Sequence, residues 1–382
     1  MDRGRAALVP YLELDTMTPR IFALATFALL AAFDTTARAG VTTPGSLIVF
    51  PAFDNRYHSD GARNLTLFTV TNTHRSESVR VHFVYRNAPD CLETNRSHVL
   101  TPNDTLSVIT ALHNPNRDQG FCYAYAQAVS GPNAGQAIKF DWLIASQMDL
   151  RHDLEDARDG DYEFTPYIFR AVGRGLDHGD RTDIDTDGLR DLNGREYERT
   201  PDALLVPRFF GQDASDTPEV LPEDYPRFRS ELVLINLTGG RLFDATVDFL
   251  IYNDNEEVFS AQHAFRCWTR VPLAQINGVF TNDFLKYNTG HAPGEVATNG
   301  FPFPETGWFS IDGAIAQSTN TVFVDPAILA LRIEVDHTSS HCGGAVLPFC
   351  LGTQANGDLL SLSLLGDDDP ADNGPNTDPW DQ

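Results

Sequence analysis

Val79-Arg-Val-His-Phe-Val-Tyr85 and Ala245-Thr-Val-Asp-Phe-Leu-Ile251 decide the fold. In an extended chain Val79, Val81, Phe83 and Tyr85 share one side, and so do Ala245, Val247, Phe249 and Ile251. Successive strand side chains point to opposite faces, so this period of two predicts a half-buried β-strand in each stretch. The neighbouring segments match as well. Upstream, Phe68, Val70 and Asn72 correspond to Leu232, Leu234 and Asn236, and Leu47-Ile-Val-Phe-Pro51 resembles Leu204-Leu-Val-Pro207. Downstream, Gly120-Phe-Cys-Tyr-Ala-Tyr-Ala126 resembles Gly307-Trp-Phe-Ser-Ile-Asp-Gly313, and Ile138–Ile144 resembles Ile328–Glu334. Five strand-like segments in one order predict an internal duplication.

Turn-forming residues separate these runs, as in Thr73-His-Arg-Ser-Glu-Ser78 and Thr238-Gly-Gly-Arg241. Long amphipathic helical patterns are absent. Short strands with frequent turns predict an all-β chain of two tandem β-sandwich domains rather than a parallel α/β sheet. The expected boundaries are a signal peptide over 1–39, a first sandwich over 40–150 and an acidic linker over 151–200. A second sandwich follows over 201–365 and an acidic, disordered tail over 366–382. An insertion at about 275–306, rich in Gly, Pro, Asn and Thr, reads as a long surface loop of the second sandwich.

Val70-Thr-Asn-Thr73 followed by Val-x-Val-x-Phe resembles the strand–turn–strand core of tandem immunoglobulin-like or fibronectin-like sandwiches in bacterial secreted proteins. The resemblance covers roughly two thirds of the chain after the signal, without the Cys…Trp…Cys spacing of antibody domains. It implies a scaffold or binding role and brings no catalytic residues.

The start of the chain carries an export pattern. Arg20 precedes the apolar run Ile21–Phe33, and Ala37-Arg38-Ala39 offers a small-x-small cleavage site before Gly40. The run falls short of the roughly 20 apolar residues of a membrane span, so no stable membrane insertion is expected after cleavage. Glu13 and Asp15 sit where positive charge belongs, which makes Met17 the expected true start. A secreted, periplasmic or cell-surface location follows. The chain has 53 acidic and 28 basic residues, a net charge of −25. Such a surface repels phosphate backbones and excludes nucleic acid as a partner.

An oxidising location permits disulfides among Cys91, Cys122, Cys267, Cys342 and Cys350. Nearness in sequence favours Cys91 with Cys122 and Cys342 with Cys350. Cys267 is left over, either buried or displacing one of those partners, because spacing alone does not fix connectivity.

The sharpest chemical pattern is Asp183-Ile-Asp185-Thr-Asp187-Gly188-Leu189-Arg-Asp191-Leu-Asn193-Gly194. Calcium takes six to eight oxygens, many from carboxylates on a tight loop. Asp183, Asp185, Asp187, Asp191 and Asn193 supply side-chain oxygens at alternate positions, Leu189 a backbone carbonyl, and Gly188 the sharp turn. Gly194 stands where an EF-hand has its closing Glu, so either Glu196 or Glu198 reaches in or the loop closes differently. The loop resembles the short calcium loops of thrombospondin type 3 repeats or dockerins, and calcium is the expected ligand.

His337, His341, Cys342 and Cys350 lack the standard spacing of a zinc site and read as a cystine with two surface histidines. Trp142, Trp268 and Trp308 fall in strand-like segments, as core residues or as a sugar-binding face. There is no Gly-x-Ser-x-Gly, no His-Glu-x-x-His, no phosphate-binding loop and no dinucleotide fingerprint. The expectation is a secreted, non-catalytic protein that meets an extracellular protein or glycan. A carbohydrate-binding module, a secreted hydrolase with a scattered site and a structural envelope component are the alternatives.

Overall fold

The computed structural model describes residues 43–57, 63–115, 117–150, 162–172, 177–211, 228–239, 243–253, 256–287, 305–336, 344–354 and 357–359. The expected signal peptide, the tail over 366–382, His337, His341, Cys342 and much of the 275–306 insertion lie outside these residues. Among the described residues no helix is long and apolar enough to cross a membrane.

The first half contains β1 (Leu47–Asp54), β2 (Leu65–Asn72), β3 (Val79–Asn87), β4 (Leu92–Leu100), β5 (Thr105–Ile109), β6 (Gln119–Gln127), β7 (Leu143–Leu150), β8 (Tyr162–Phe164) and β9 (Tyr167–Phe169). After the short β10 (Arg190–Asp191), the second half runs through β11 (Ala203–Phe210), β12 (Phe228–Asn236), β13 (Asp244–Asn253), β14 (Val258–Arg266) and β15 (Trp268–Pro272). It continues with β16 (Thr306–Gln317), β17 (Val322–Val324), β18 (Ile328–Asp336), β19 (Gly344–Val346) and β20 (Phe349–Leu351), and β21 (Asp358–Leu359) pairs with β10.

The expected all-β architecture is present, and the duplication extends to the topology. A sheet ordered β4-β3-β6-β1-β9 faces one ordered β5-β2-β7-β8, and the second half repeats this as β14-β13-β16-β11-β20 and β15-β12-β18-β19. Local devices repeat too. The β1–β6 ladder shifts register between Phe50 and Phe53, and the β11–β16 ladder between Val206 and Phe209. Pro51 and Pro207, which have no N–H to donate, sit within these two irregularities. Beyond each, a Phe stands opposite a Gly: Phe53 with Gly120, Phe209 with Gly307. A Cβ on either glycine would strike a carbonyl oxygen of the neighbouring strand, that of Arg86 or of Tyr252. The buried Asn72 and Asn236 close β2 and β12 alike, each side-chain oxygen accepting the N–H two residues on (His74, 2.9 Å; Thr238, 3.0 Å). One sequence match is displaced. Asn72 pairs with Leu143 and Asn236 with Ile328, so β18 is equivalent to Leu143–Leu150, not to the expected Ile138–Ile144.

The halves stack as four sheet layers with three apolar cores between them. Ile48, Phe50, Phe68, Val81 and Phe83 fill the first sandwich, and Leu232, Leu234, Val247, Phe249 and Phe309 the second. Between them Leu47, Val49, Phe121 and Tyr123 of the first half meet Val233, Ile235, Leu329 and Leu331 of the second. Alternate residues of β1, β12 and β18 thus serve different cores, which is why Leu47-Ile-Val-Phe50 and Leu232-Val-Leu-Ile235 are apolar without interruption. The outer strands alternate: β2 buries only every second residue.

The outer faces carry polar residues at places where the inner faces of the stack are apolar. Thr69 and Thr71 of β2 occupy the places of Val233 and Ile235 of β12. They form a hydroxyl ladder with Ser107 (3.0 Å) and Thr105 (2.9 Å). At the other end the exposed Asp312 stands where the first half has the buried Tyr125.

Residues 151–200, expected as a linker, are in part woven into this block. β8 and β9 extend the two sheets of the first half, while Leu192 and Tyr197 are fully buried in the middle core. Polar cross-links span the same layer. Trp268 donates its indole N–H to the Pro51 carbonyl (2.9 Å), and the Tyr167 hydroxyl donates to Ala330 (2.8 Å). The Arg270 guanidinium lies 2.7 Å from Glu231 and 3.5 Å from Asp54. The angle between the sandwiches is therefore set by packing.

The cystine differs from the expected Cys91–Cys122 pair: Cys91 is joined to Cys267, with Cα atoms 6.2 Å apart. Cys91 lies in the middle core, whereas Cys122 is a buried free thiol in the core of the first sandwich. One sheet separates them. The residue left over in the sequence staples the two halves. Cys350 is partly buried against the middle and second cores, and its expected partner Cys342 lies outside the described residues.

Candidate metal centre

The segment 177–200 lies along the five-stranded sheet of the first half. Ile138 bridges to Arg181 and Ala171 to Tyr197, the Thr182 and Tyr197 hydroxyls are 3.0 Å apart, and the Arg190 guanidinium stacks 4.7 Å over the Tyr125 ring. This frame bends the chain between residues 182 and 190. Gly188 adopts φ +88°, the left-handed conformation its lack of a Cβ makes cheap.

Within the bend, Asp183, Asp185 and Asp187 each offer a carboxylate oxygen, and these lie within 4.8 Å of one another. Asp183 is buried and Asp185 exposed, with Asp187 between. Asp183 Oδ2 accepts from Arg181 (2.8 Å), while its buried Oδ1 has no hydrogen-bond partner. Asp187 Oδ1 accepts the Leu189 N–H (2.8 Å).

Asp191 is not among the carboxylates of this trio. Asp191 Oδ2 accepts from the Asn193 amide (2.8 Å), and Asn193 Oδ1 accepts the Arg195 N–H (2.7 Å), closing a turn. Of the two acids proposed to close the loop, Glu198 is held by Arg170 (2.6 Å) and Glu196 faces the bend. Glu196 accepts the N–H groups of Ile184 (2.6 Å) and Asp191 (3.3 Å). Burial pushes the Glu196 carboxyl up to about 7; its two backbone donors oppose this, and the charges of Asp183 and Asp185 add to it. Carboxylates this close, one of them buried, repel one another, and every donor the trio offers is an oxygen.

The tryptophans do not share a face. Trp142 and Trp308 are exposed in different halves, and Trp268 is buried between them. Trp308 stacks on Tyr252 (centroids 4.3 Å apart, 5° between planes) on the outer sheet of the second half. A second cluster, His74, Glu77 and His178, escaped the sequence reading because His178 lies 101 residues beyond Glu77 and the three match no spacing pattern.

No family model and no curated protein matches the chain. Among solved structures, a chain of the cryo-EM structure of broad bean stain virus is 8% identical, covering 85% of this chain and 95% of that one at a TM-score of 0.13. Likeness that low carries no argument about function.

Proposed function

We propose that the chain is an exported, non-catalytic protein whose rigid β block meets an extracellular protein or glycan, and that its 183–187 loop binds calcium. The observation that carries the calcium reading is the convergence of three carboxylates on a bend where the buried Asp183 Oδ1 lacks a partner. The export pattern before Gly40 supports a calcium-rich location. The triple core supports a scaffold role, since a fixed block holds a binding surface in place. The ion's task here is to hold the 183–198 segment on the first sandwich.

Calorimetric titration of the protein from Gly40 onward with calcium tests this. One heat-producing site is expected, and it should vanish in an Asp183→Ala/Asp185→Ala double variant. Equal heats in both proteins, or none in either, overturn the calcium reading.

A further inference from the structure

We propose that His74, Glu77 and His178 form a second metal site, selective for a borderline divalent transition ion of the zinc class. One ligand atom from each lies within 4.8 Å of the other two. His74 and Glu77 belong to the turn between β2 and β3, and His178 to the segment laid over it. The imidazole rings are parallel (10°) with centroids 5.1 Å apart, and both turn Nε2 toward Glu77, at 3.8 Å for His74 and 2.8 Å for His178. Nitrogens about 2.1 Å from a tetrahedral zinc stand about 3.4 Å apart, which small side-chain rotations reach from here.

The surroundings suit such a site. Phe140 lies against both rings (5.6 and 5.3 Å), and Trp142 meets His74 edge-on at 5.0 Å. This apolar backing covers one side. The Glu77 and His178 side chains are 53% and 37% exposed, so water can complete the coordination. Two imidazoles with one carboxylate prefer zinc, copper or nickel, whereas the Asp183 loop offers only the oxygen that calcium takes. The two sites therefore sort metals by ligand chemistry.

Binding exchanges three hydrogen bonds: the two that His74 Nδ1 accepts from the Ser76 and Glu77 N–H groups, and the one between His178 Nε2 and the Glu77 carboxylate. His74 Nδ1 accepts the Glu77 N–H (3.0 Å), so the neutral ring carries its proton on Nε2. Coordination through Nε2 moves that proton to Nδ1 and opens both Nδ1 contacts, in return for a metal bond that ties residue 178 to the β2–β3 turn.

The experiment is zinc titration by calorimetry in excess calcium, with copper quenching of Trp142 fluorescence as an independent readout. One zinc site is expected. His178→Ala, an exposed change checked for folding by circular dichroism, should weaken it more than about tenfold, the lower end of what losing even an outer-shell partner costs. Copper quenching should disappear in His178→Ala and in Trp142→Phe. The Asp183→Ala/Asp185→Ala protein should keep zinc whatever its calcium behaviour, and a His337→Ala/His341→Ala protein should keep it too. Absence of zinc heat, or unchanged affinity in His178→Ala, overturns the proposal.

Discussion

Replacing Cys91 and Cys267 together by alanine should remove a large share of the protein's stability without separating the two halves. The bond closes a loop between residues 176 apart in sequence. The chain-entropy relation gives about 5 kcal/mol at 25 °C for a loop that long, as an upper figure. A Cys91–Cys122 bond would give about 4 kcal/mol, so size alone does not distinguish the pairings. A third variant does. Cys122 is a buried free thiol, and Cys122→Ala removes only a small side chain from a core, a loss of roughly 1 kcal/mol. Both half-cystines adopt left-handed φ (60° and 59°), which alanine tolerates no better, so the double variant isolates the cross-link. The assay is equilibrium urea unfolding of the oxidised proteins. The double variant should lose several kcal/mol, Cys122→Ala far less, and each should unfold in one transition with an unchanged native hydrodynamic radius. An equal loss in Cys122→Ala, or two separated transitions in the double variant, would refute the reasoning.

Acid should weaken the first sandwich through His113. Its ring lies 2.7 Å from both the Tyr85 hydroxyl and His98, and burial foremost, then the charges of His98 and Arg96, lowers it to about 3. Because the folded value lies below the unfolded one, the contribution is full above about pH 6.5 and is lost as pH falls toward 3, up to about 5 kcal/mol. Urea unfolding between pH 3 and 7 should show a shallower pH slope for His113→Gln, and parallel curves would contradict this. Gly120→Ala and Gly307→Ala should each destabilise strongly, by about 3 kcal/mol or more, because the new methyl group meets strand backbone rather than a movable side chain. A thermal shift of only a degree or two in either variant would argue against the repeated close approach. Chelation should raise protease cleavage within residues 180–198 selectively; identical digests with and without chelator would count against a calcium-held segment.

Both sandwiches were legible because strand period survives in sequence: Val79–Tyr85 and Ala245–Ile251 do bury the alternate residues their pattern selects. The uninterrupted apolar runs of β1 and β12 carried a further signal, two buried faces, that the half-buried reading passed over. The shift at Ile138 arose because an apolar run does not state its partner, whereas the Asn72–Leu143 and Asn236–Ile328 pairings do. The Asp183, Asp185 and Asp187 trio was legible because a short loop brings alternate residues together. Asp191 and Asn193 fit the same spacing, but the Asn193 oxygen accepts the Arg195 N–H and its amide donates to Asp191.

Local pattern by itself thus determined the strands, their duplication and the acidic bend, since each is written in short runs of neighbouring residues. Tertiary structure alone decided that the sandwiches stack into one block, that Cys91 reaches Cys267 rather than Cys122, and that His178 arrives beside His74 and Glu77. Those outcomes depend on which face of a sheet a side chain occupies and on what packs against it, which is fixed only when the apolar faces of the two halves are buried against each other.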